Sequence, residues 1–590
     1  MMISQVIFVS ANSPVSLENN DYSIVKLDSG SFILTEKKSG ANIMFTPTFD
    51  IVTSTSDPKK STGKATGANG FAFGSNELNY TVPAWGGETD YYKVGTHTYL
   101  TANNAAITGN SISFGFQTGG AYSFSAKLTL PQDGKEPVLT WELNGNSADY
   151  YSVGFVGFAE NEFANLDYIF LPMIWSDKRF PDKSYIAEES RDTIPSVMAA
   201  TKDCVYGLVV DPKEIPFRLS TMENSRFGLS VRNKDGKAQP AVYAPILGGE
   251  GSKGAAKLTF TARMFVSTGS WYDAWSMIAS GIYNFTEYRK NISTTLNQAL
   301  DNLNDFILNT SGNNYSYWNE NFKASEYVND KPGYARQQSP LSAVSLAYVI
   351  DSKEMLEKRA KPTVEYFMSR KSNMVKSSGI GYDDAYPMGG PTDVNTVEWS
   401  GLYAFSSGRT NAFKQAAYTS YARWAKAASV PETPGDAIDP KKAYTVDEIM
   451  KISKLLGEPL VAMYRMTKDK RYYDDLIYLA DAYVDQIIDK GYQNFYEARS
   501  TFYPELGPNY PWLDELYQLT GDIKYAEAAV KAVREQMRYT NIAPVYPNET
   551  IDNVPAWQLS EAGLNAEGAG TANSHRAIFM PYMAPYYERY

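Results

Sequence analysis

Of its 590 residues the chain gives one to cysteine, Cys204, and two to histidine, His97 and His575. A single thiol excludes a disulfide framework and a thiolate zinc cluster. Two imidazoles exclude a histidine-rich metal site. No run is long and apolar enough to span a bilayer as a helix. With a net charge of −11 the chain lacks the basic excess that nucleic acid demands of a partner. It has no glycine-rich phosphate loop with a lysine, no dinucleotide fingerprint and no nucleophile elbow. The expectation is therefore no cofactor, no metal and no nucleic-acid partner. Oligomeric state is not legible.

What is present is length, rings and repetition. A chain of 590 residues exceeds one hydrophobic core, so at least two domains are expected. Aromatic residues reach 14%, with 44 Tyr and 10 Trp, a supply that suits either a large core or the apolar faces of sugars. Four short stretches echo one another. Tyr464-Arg-Met-Thr467-Lys-Asp469-Lys-Arg471-Tyr472 matches Tyr517-Gln-Leu-Thr520-Gly-Asp522-Ile-Lys524-Tyr525, and weaker echoes begin at Tyr348 and Tyr403. The starts lie 55, 61 and 53 residues apart, room for two helices and two turns. Such a hairpin cannot bury its apolar face alone and must belong to an array. Each echo tyrosine should sit near a helix end, with Asp469 and Asp522 in the turns, capping the helices that follow.

The chain changes period part-way. Ser111–Phe116, Tyr122–Leu130 and Leu258–Met264 alternate apolar with small or polar residues, as half-buried strands do. Ser270-Trp-Tyr-Asp273 reads as a helix N-cap with an acidic third residue. From Ile292 through Leu296, Ala299, Leu300, Leu303, Phe306 and Ile307 the apolar spacing is helical. Thr445-Val-Asp-Glu448 is a capping box opening the helix that ends at Tyr464. The expected organisation is a multidomain β-then-α chain: a β-sandwich domain over 12–268, a linker helix over 269–290 and a helical domain over 291–590. Residues 1–11 resemble the apolar end of a secretory signal, with Val9-Ser10-Ala11 at the cleavage position but no positive leader. An ordinary first strand is the alternative. The signal reading gives a secreted or periplasmic protein.

This order, a sandwich and then an array of helical hairpins, resembles carbohydrate-active enzymes built from a galactose-mutarotase-like β-supersandwich followed by a six-hairpin (α/α) toroid. Trp141-Glu-Leu-Asn144-Gly-Asn146 looks like the core of such sandwiches, and the repeats look like the hairpins. The resemblance is architectural and carries over no family's catalytic residues. It implies a cleft at one mouth of a closed ring, with chemistry on the loops between hairpins, and a polysaccharide or oligosaccharide as partner.

Three loops carry the residue types such chemistry needs. Around Gly379–Asp393 lie Tyr382, Asp383 and Asp384, acids among glycines and rings. Asn494–Pro504 brings Glu497 and Arg499 together. Pro555–Arg576 holds Trp557, Glu561, Glu567, Asn573, His575 and Arg576. Tyr334 and Arg336 precede the first full hairpin. Glycosidic cleavage needs one carboxyl protonated and another ionised across the scissile bond, which makes Asp383, Asp384, Glu561 and Glu567 candidates. His575 is the candidate that grips a carboxylate or takes part in proton transfer. Tyr334, Arg336, Tyr382, Glu497, Arg499, Trp557, Asn573 and Arg576 are candidate substrate contacts, the cations among them suited to uronic acid. His97, alone in the β region, reads as structural. The leading expectation is a glycoside hydrolase. The alternatives are a polysaccharide lyase acting on a uronate by β-elimination and a glycan-binding protein that kept the scaffold without the chemistry.

Overall fold

A computed structural model describes residues 16–56, 58, 91–120, 122–145, 149–171, 186–189, 192–216, 218, 224–234, 236–254, 257–285, 294–310, 318–320, 323–325, 340–368, 396–489, 511–537, 540–542, 544, 550–551 and 554–555. A β-rich region comes first and a helical region follows. The described residues up to Tyr288, with those from Ala532 on, form one compact unit. Those of Arg289–Asp489 and Asn509–Lys531 form the second.

The first unit is built on antiparallel sheets. The larger has eight strands, with Leu258–Ser267 between Val138–Asn144 and Val205–Val210 at its centre. A seven-stranded sheet holds Thr48–Ser54 between Tyr150–Phe155 and Thr96–Thr101. Period two decides which face is which. In Ser123–Thr129 the residues Phe124, Ala126 and Leu128 are buried and those between them are not. The sheets meet face to face through rings: Phe49 lies 4.9 Å from Phe124 and 5.9 Å from Trp141. Trp141 Nε1 donates to the Ala244 carbonyl at 3.2 Å, so this fully buried ring has its polar atom satisfied. A four-stranded sheet over 16–45 closes one side, with Phe32 edge-on to Phe114 at 5.6 Å.

The seven-stranded sheet is buried on its second face as well. There Val52, Tyr91, Tyr243, Ile246 and Leu247 enclose Asp50, which is fully buried. Tyr243 Oη donates to Asp50 Oδ2 at 2.9 Å, and His97 Nδ1 lies 2.8 Å from the same oxygen. His97 Nε2 lies 3.2 Å from the Val94 carbonyl. Gly154 is required here, because a Cβ would stand 2.2 Å from the Tyr243 ring. His97 is thus part of a packed polar cluster that orients a sheet strand.

The capping box at Ser270 forms and opens α1, Trp271–Met277. Trp271 stacks on Tyr168 at 4.9 Å. Tyr283 Oη donates to the Val210 carbonyl at 2.9 Å. Ile542, fully buried, donates its N–H to the Thr193 carbonyl, so late chain closes this same core.

The second unit is helical. Its helices are α2 (Leu296–Leu308), α3 (Pro340–Val349), α4 (Lys353–Met355), α5 (Lys361–Met368), α6 (Thr396–Phe405), α7 (Asn411–Ala428), α8 (Val446–Thr467), α9 (Lys470–Tyr483), α10 (Pro511–Thr520) and the part up to Lys531 of α11 (Ile523–Met537). A π-helical turn, Leu356–Ala360, makes α4 and α5 continuous. In α2 the helical spacing is right, but Leu296, Leu303 and Phe306 are exposed. Ile307 is the buried member, packed with Ala343, Ala347, Met355 and Ala360. Spacing identifies an apolar face without saying what that face meets.

The tyrosine echo is structural. Tyr348, Tyr403, Tyr464 and Tyr517 each lie close to the end of α3, α6, α8 and α10. In the two strong copies the turn is the same atom for atom. Thr467 and Thr520 donate their hydroxyls to the carbonyls of Met463 and Leu516. Lys468 and Gly521 turn left-handed, with φ of 58° and 71°, and donate to the Tyr464 and Tyr517 carbonyls, both at 2.8 Å. Asp469 and Asp522 then accept from the N–H of Arg471 and Lys524 at 3.0 and 3.1 Å, capping α9 and α11. The echo helices also neighbour one another, α3 beside α6, α6 beside α8, and α8 beside α10. Closure of this array into a ring is not among the described features.

Equivalent caps should carry equivalent energies. Asp469→Ala and Asp522→Ala should each lower the unfolding free energy by about 1 kcal/mol, and the double variant should lose about the sum. Denaturant titration of the three variants measures this.

Candidate functional site

Every candidate site residue of the sequence reading lies outside the described residues. This holds for Asp383, Asp384, Glu561, Glu567 and His575, and for Tyr334, Arg336, Tyr382, Glu497, Arg499, Trp557, Asn573 and Arg576. The described residues do show what three of the candidate segments lead into. In sequence, the segment with Tyr334 and Arg336 runs into α3, the one with Tyr382, Asp383 and Asp384 into α6, and the one with Glu497 and Arg499 into α10.

Direct contacts fix the direction of two neighbouring pairs, α3 with α6 and α8 with α10. Tyr348 at the end of α3 meets Phe405 at the end of α6, ring to ring at 5.1 Å. Gly401 of α6 lies against Leu341 near the start of α3. Likewise Gly457 of α8 lies against Trp512 at the start of α10, and further along both helices Arg465 Nη1 lies 2.8 Å from Glu515 Oε2. Both pairs of neighbours are therefore parallel.

A group of acids sits between α8 and α10. Glu515 is half-buried and its carboxyl is pushed up from the usual carboxylate range. Burial is the main cause, and the charges of Glu458 and Asp514 add to it while Arg465 opposes them. Asp514 is buried. Two neighbouring carboxyls whose surroundings push one of them up are a way for proteins to separate an acid from a base.

Local sequence marks the same place. Gly457-Glu458-Pro459 lies inside the 22-residue helix α8. Glycine and proline are the two poorest residues for a helix interior, by about 1 and 3 kcal/mol against alanine. Gly457 has a packing reason, since a Cβ there would stand 2.6 Å from Trp512 Nε1. Pro459 removes an N–H from the helix ladder next to Glu458. Local rules broken on both sides of an acid are a signal for function that the sequence reading passed over. At the starts of α6 and α10 the buried polar atoms Thr396 Oγ1, Trp399 Nε1 and Trp512 Nε1 have no hydrogen-bond partner among the described residues. A buried donor of this kind takes a bound water, an ion or a catalytic role as its account.

Other buried acids are committed to structure. Asp475 of α9 is fully buried, but its carboxylate accepts from the N–H of Gly435 at 2.7 Å and of Ile438 at 3.3 Å, pinning the segment before α8. In the β-rich unit, Glu214 pairs with Arg226 at 3.2 Å, and Glu189 accepts the Arg226 N–H at 2.8 Å. Burial pushes the Cys204 thiol up, which leaves it a poor nucleophile. Among the described residues no cluster of His, Cys, Asp and Glu has the makings of a metal site, and no helix is long and apolar enough to cross a membrane.

No family model and no curated protein matches the chain. Solved structures similar to it include a polysaccharide lyase, with 10% identity over 95% of this chain and 85% of that one at a TM-score of 0.36. An alpha-mannosidase from Enterococcus faecalis has 9% identity over 46% of this chain and 32% of that one, TM-score 0.27. An alpha-galactosidase from Geobacillus stearothermophilus has 12% identity over 47% and 43%, TM-score 0.22. Scores this low assign no family.

Gly457→Ala tests the packing that holds the acids in place. At an ordinary helix position the change stabilises by about 1 kcal/mol. Here the buried indole blocks the new methyl, so a loss of about 1–3 kcal/mol is expected. Thermal unfolding read by Trp fluorescence distinguishes the two signs.

Proposed function

We propose that the protein is a glycan-degrading enzyme of the hydrolase type, with Glu515 as general acid and Glu458 as its carboxylate partner. The observation that carries the reading is the setting of Glu515, a half-buried carboxyl beside Glu458 and Asp514 and 2.8 Å from Arg465, where burial and the neighbouring acids push it up from the usual carboxylate range. In this chemistry the acid protonates the departing glycosidic oxygen. The ionised carboxylate either activates water or attacks the anomeric carbon, and water completes the exchange. Arg465, in contact with Glu515, tunes the acid. The β-then-α order, the wealth of aromatic rings and the sequence of the segments that lead into α3, α6 and α10 support a sugar as substrate. Arg336 and Arg499 in those segments, with His575 and Arg576 near the C-terminus, suit a uronate. Asp383, Asp384, Glu561 and Glu567 stay in the proposal as further acids. Export to a secreted or periplasmic location rests on the leader-like residues 1–11.

Digestion of a panel of neutral and uronate-bearing glycans separates the readings. A hydrolase liberates reducing ends with no new near-ultraviolet absorbance. Absorbance from a new double bond would replace hydrolysis by β-elimination, and binding without turnover would leave a binding protein.

Glu515→Gln should lower kcat by about 10²–10⁴-fold. It should not lower stability near neutral pH, because the fold already disfavours the charge at that position. The pH profile carries the sign. Activity needs protonated Glu515, so it is present below the raised pKa and is lost as pH rises through it. Glu458→Gln removes a negative neighbour, lowers that pKa and should move the alkaline limb of any residual activity to lower pH. Arg465→Gln removes the opposing positive charge and should move the limb to higher pH. Limbs that stay in place in both variants would remove Glu515 from the acid role.

A further inference from the structure

We propose that the β-rich unit carries a second saccharide-binding site, for an uncharged glycan segment, in the basin between three of its turns. The basin has a volume of about 810 Å³, a size typical of small-ligand sites (about 300–1,000 Å³). Its walls come from separate elements: the hairpin turn around Ser39–Ile43, the 3-10 turn Phe163–Asn165 with its flanks, and the hairpin turn Thr201–Cys204.

Each wall is set before a ligand arrives. Glu36 accepts from the N–H of Lys38 and of Ser39 at 2.9 and 2.8 Å, fixing the first turn. Thr201 Oγ1 accepts from the N–H of Asp203 and Cys204, both at 3.3 Å, fixing the third. Cys204 on the floor joins them, its Sγ donating to the Asn42 carbonyl at 3.7 Å. Asn161 Nδ2 donates to Tyr206 Oη at 2.5 Å, which leaves the Asn161 carbonyl oxygen unengaged. A site built on short, internally bonded turns loses little entropy on binding.

The chemistry of the lining selects the ligand. The amide of Asn165, the carboxylates of Asp167 and Asp203 and the ammonium of Lys202 all line the basin. None of these side chains has a hydrogen bond or ion pair with another described residue. Amides both donate and accept, carboxylates accept and ammonium donates, which together match a ligand dense in hydroxyl groups. Ala41, Ile43 and Ala164 supply apolar contact for the C–H edges of a sugar ring. Two carboxylates against one ammonium leave the basin net negative, so it disfavours a uronate. The site therefore takes a neutral part of a glycan. The proposal does not rest on Glu515, because it concerns binding and is read without turnover.

The test titrates the full chain with neutral hexasaccharides of gluco, galacto, manno and xylo configuration, and with a hexauronate, by calorimetry and ligand-observed NMR. The expected result is binding of at least one neutral series, weakened about tenfold or more by Asn165→Ala with Asp167→Ala, as for the loss of two hydrogen bonds to a polar ligand. Hexauronate binding and turnover of small substrates should not change in that variant. The Asp167→Lys, Asp203→Lys variant should bind one more hexauronate per chain than the parent does, because the basin then carries positive charge. Both variants alter exposed positions, and an unchanged melting temperature checks their folding. Neutral binding that is absent, or is the same in the Ala variant as in the parent, overturns the proposal.

Discussion

The helical unit depends on a turn of two residues. In Thr467-Lys468-Asp469 and Thr520-Gly521-Asp522 a hydroxyl closes the last helical turn, a left-handed residue reverses the chain and a carboxylate starts the next helix. Because the link has no slack, the second helix must lie against the first or leave its apolar face in water. Repetition of that unit sets the first helices of successive pairs side by side. The direct contacts of α3 with α6 and of α8 with α10 show them running the same way.

Two ways of burying an acid stand close together in the same array. Asp475 has its charge matched by backbone N–H groups of a neighbouring segment, and the result is a fixed loop. Glu515 faces other carboxyls and one exposed arginine, and the result is a group poised to keep a proton. Burial pushes both carboxyls up from the usual range and so does not separate them. What separates them is whether the partners are fixed dipoles that favour the anion or like charges that oppose it.

Much of the fold was legible because it is written locally. The capping boxes at Ser270 and Thr445 formed as their spacing requires, and the alternating runs at Ser111, Tyr122 and Leu258 hold strands. The echo from Tyr464 to Tyr517 named two turns correctly down to the capping aspartates. The acid group was not legible in the same way. Glu458 and Glu515 are brought together by neighbouring helices of different hairpins, and no local period reports that. The one local trace, glycine and proline either side of Glu458 in a helix interior, runs against helix propensity and is easily read as noise. The buried Asp50 with His97 and Tyr243 shows the same limit, since its three members come from three separate strands. The candidate residues named from loop composition lie outside the described residues, so composition remains their support.

Helices that run in parallel also add their dipoles. Each contributes roughly half an elementary positive charge at its N-terminus, and the shared direction within each pair collects those poles at the same end. The field of such a pole falls off within the first turn, so it acts on groups placed directly at the helix starts. Asp514 already stands in the first turn of α10, where that field favours a negative charge. A negatively charged group of a glycan brought to that helix start would therefore compete with Asp514 for it. Rising salt should weaken the approach of such a substrate well before it weakens the contacts made on arrival.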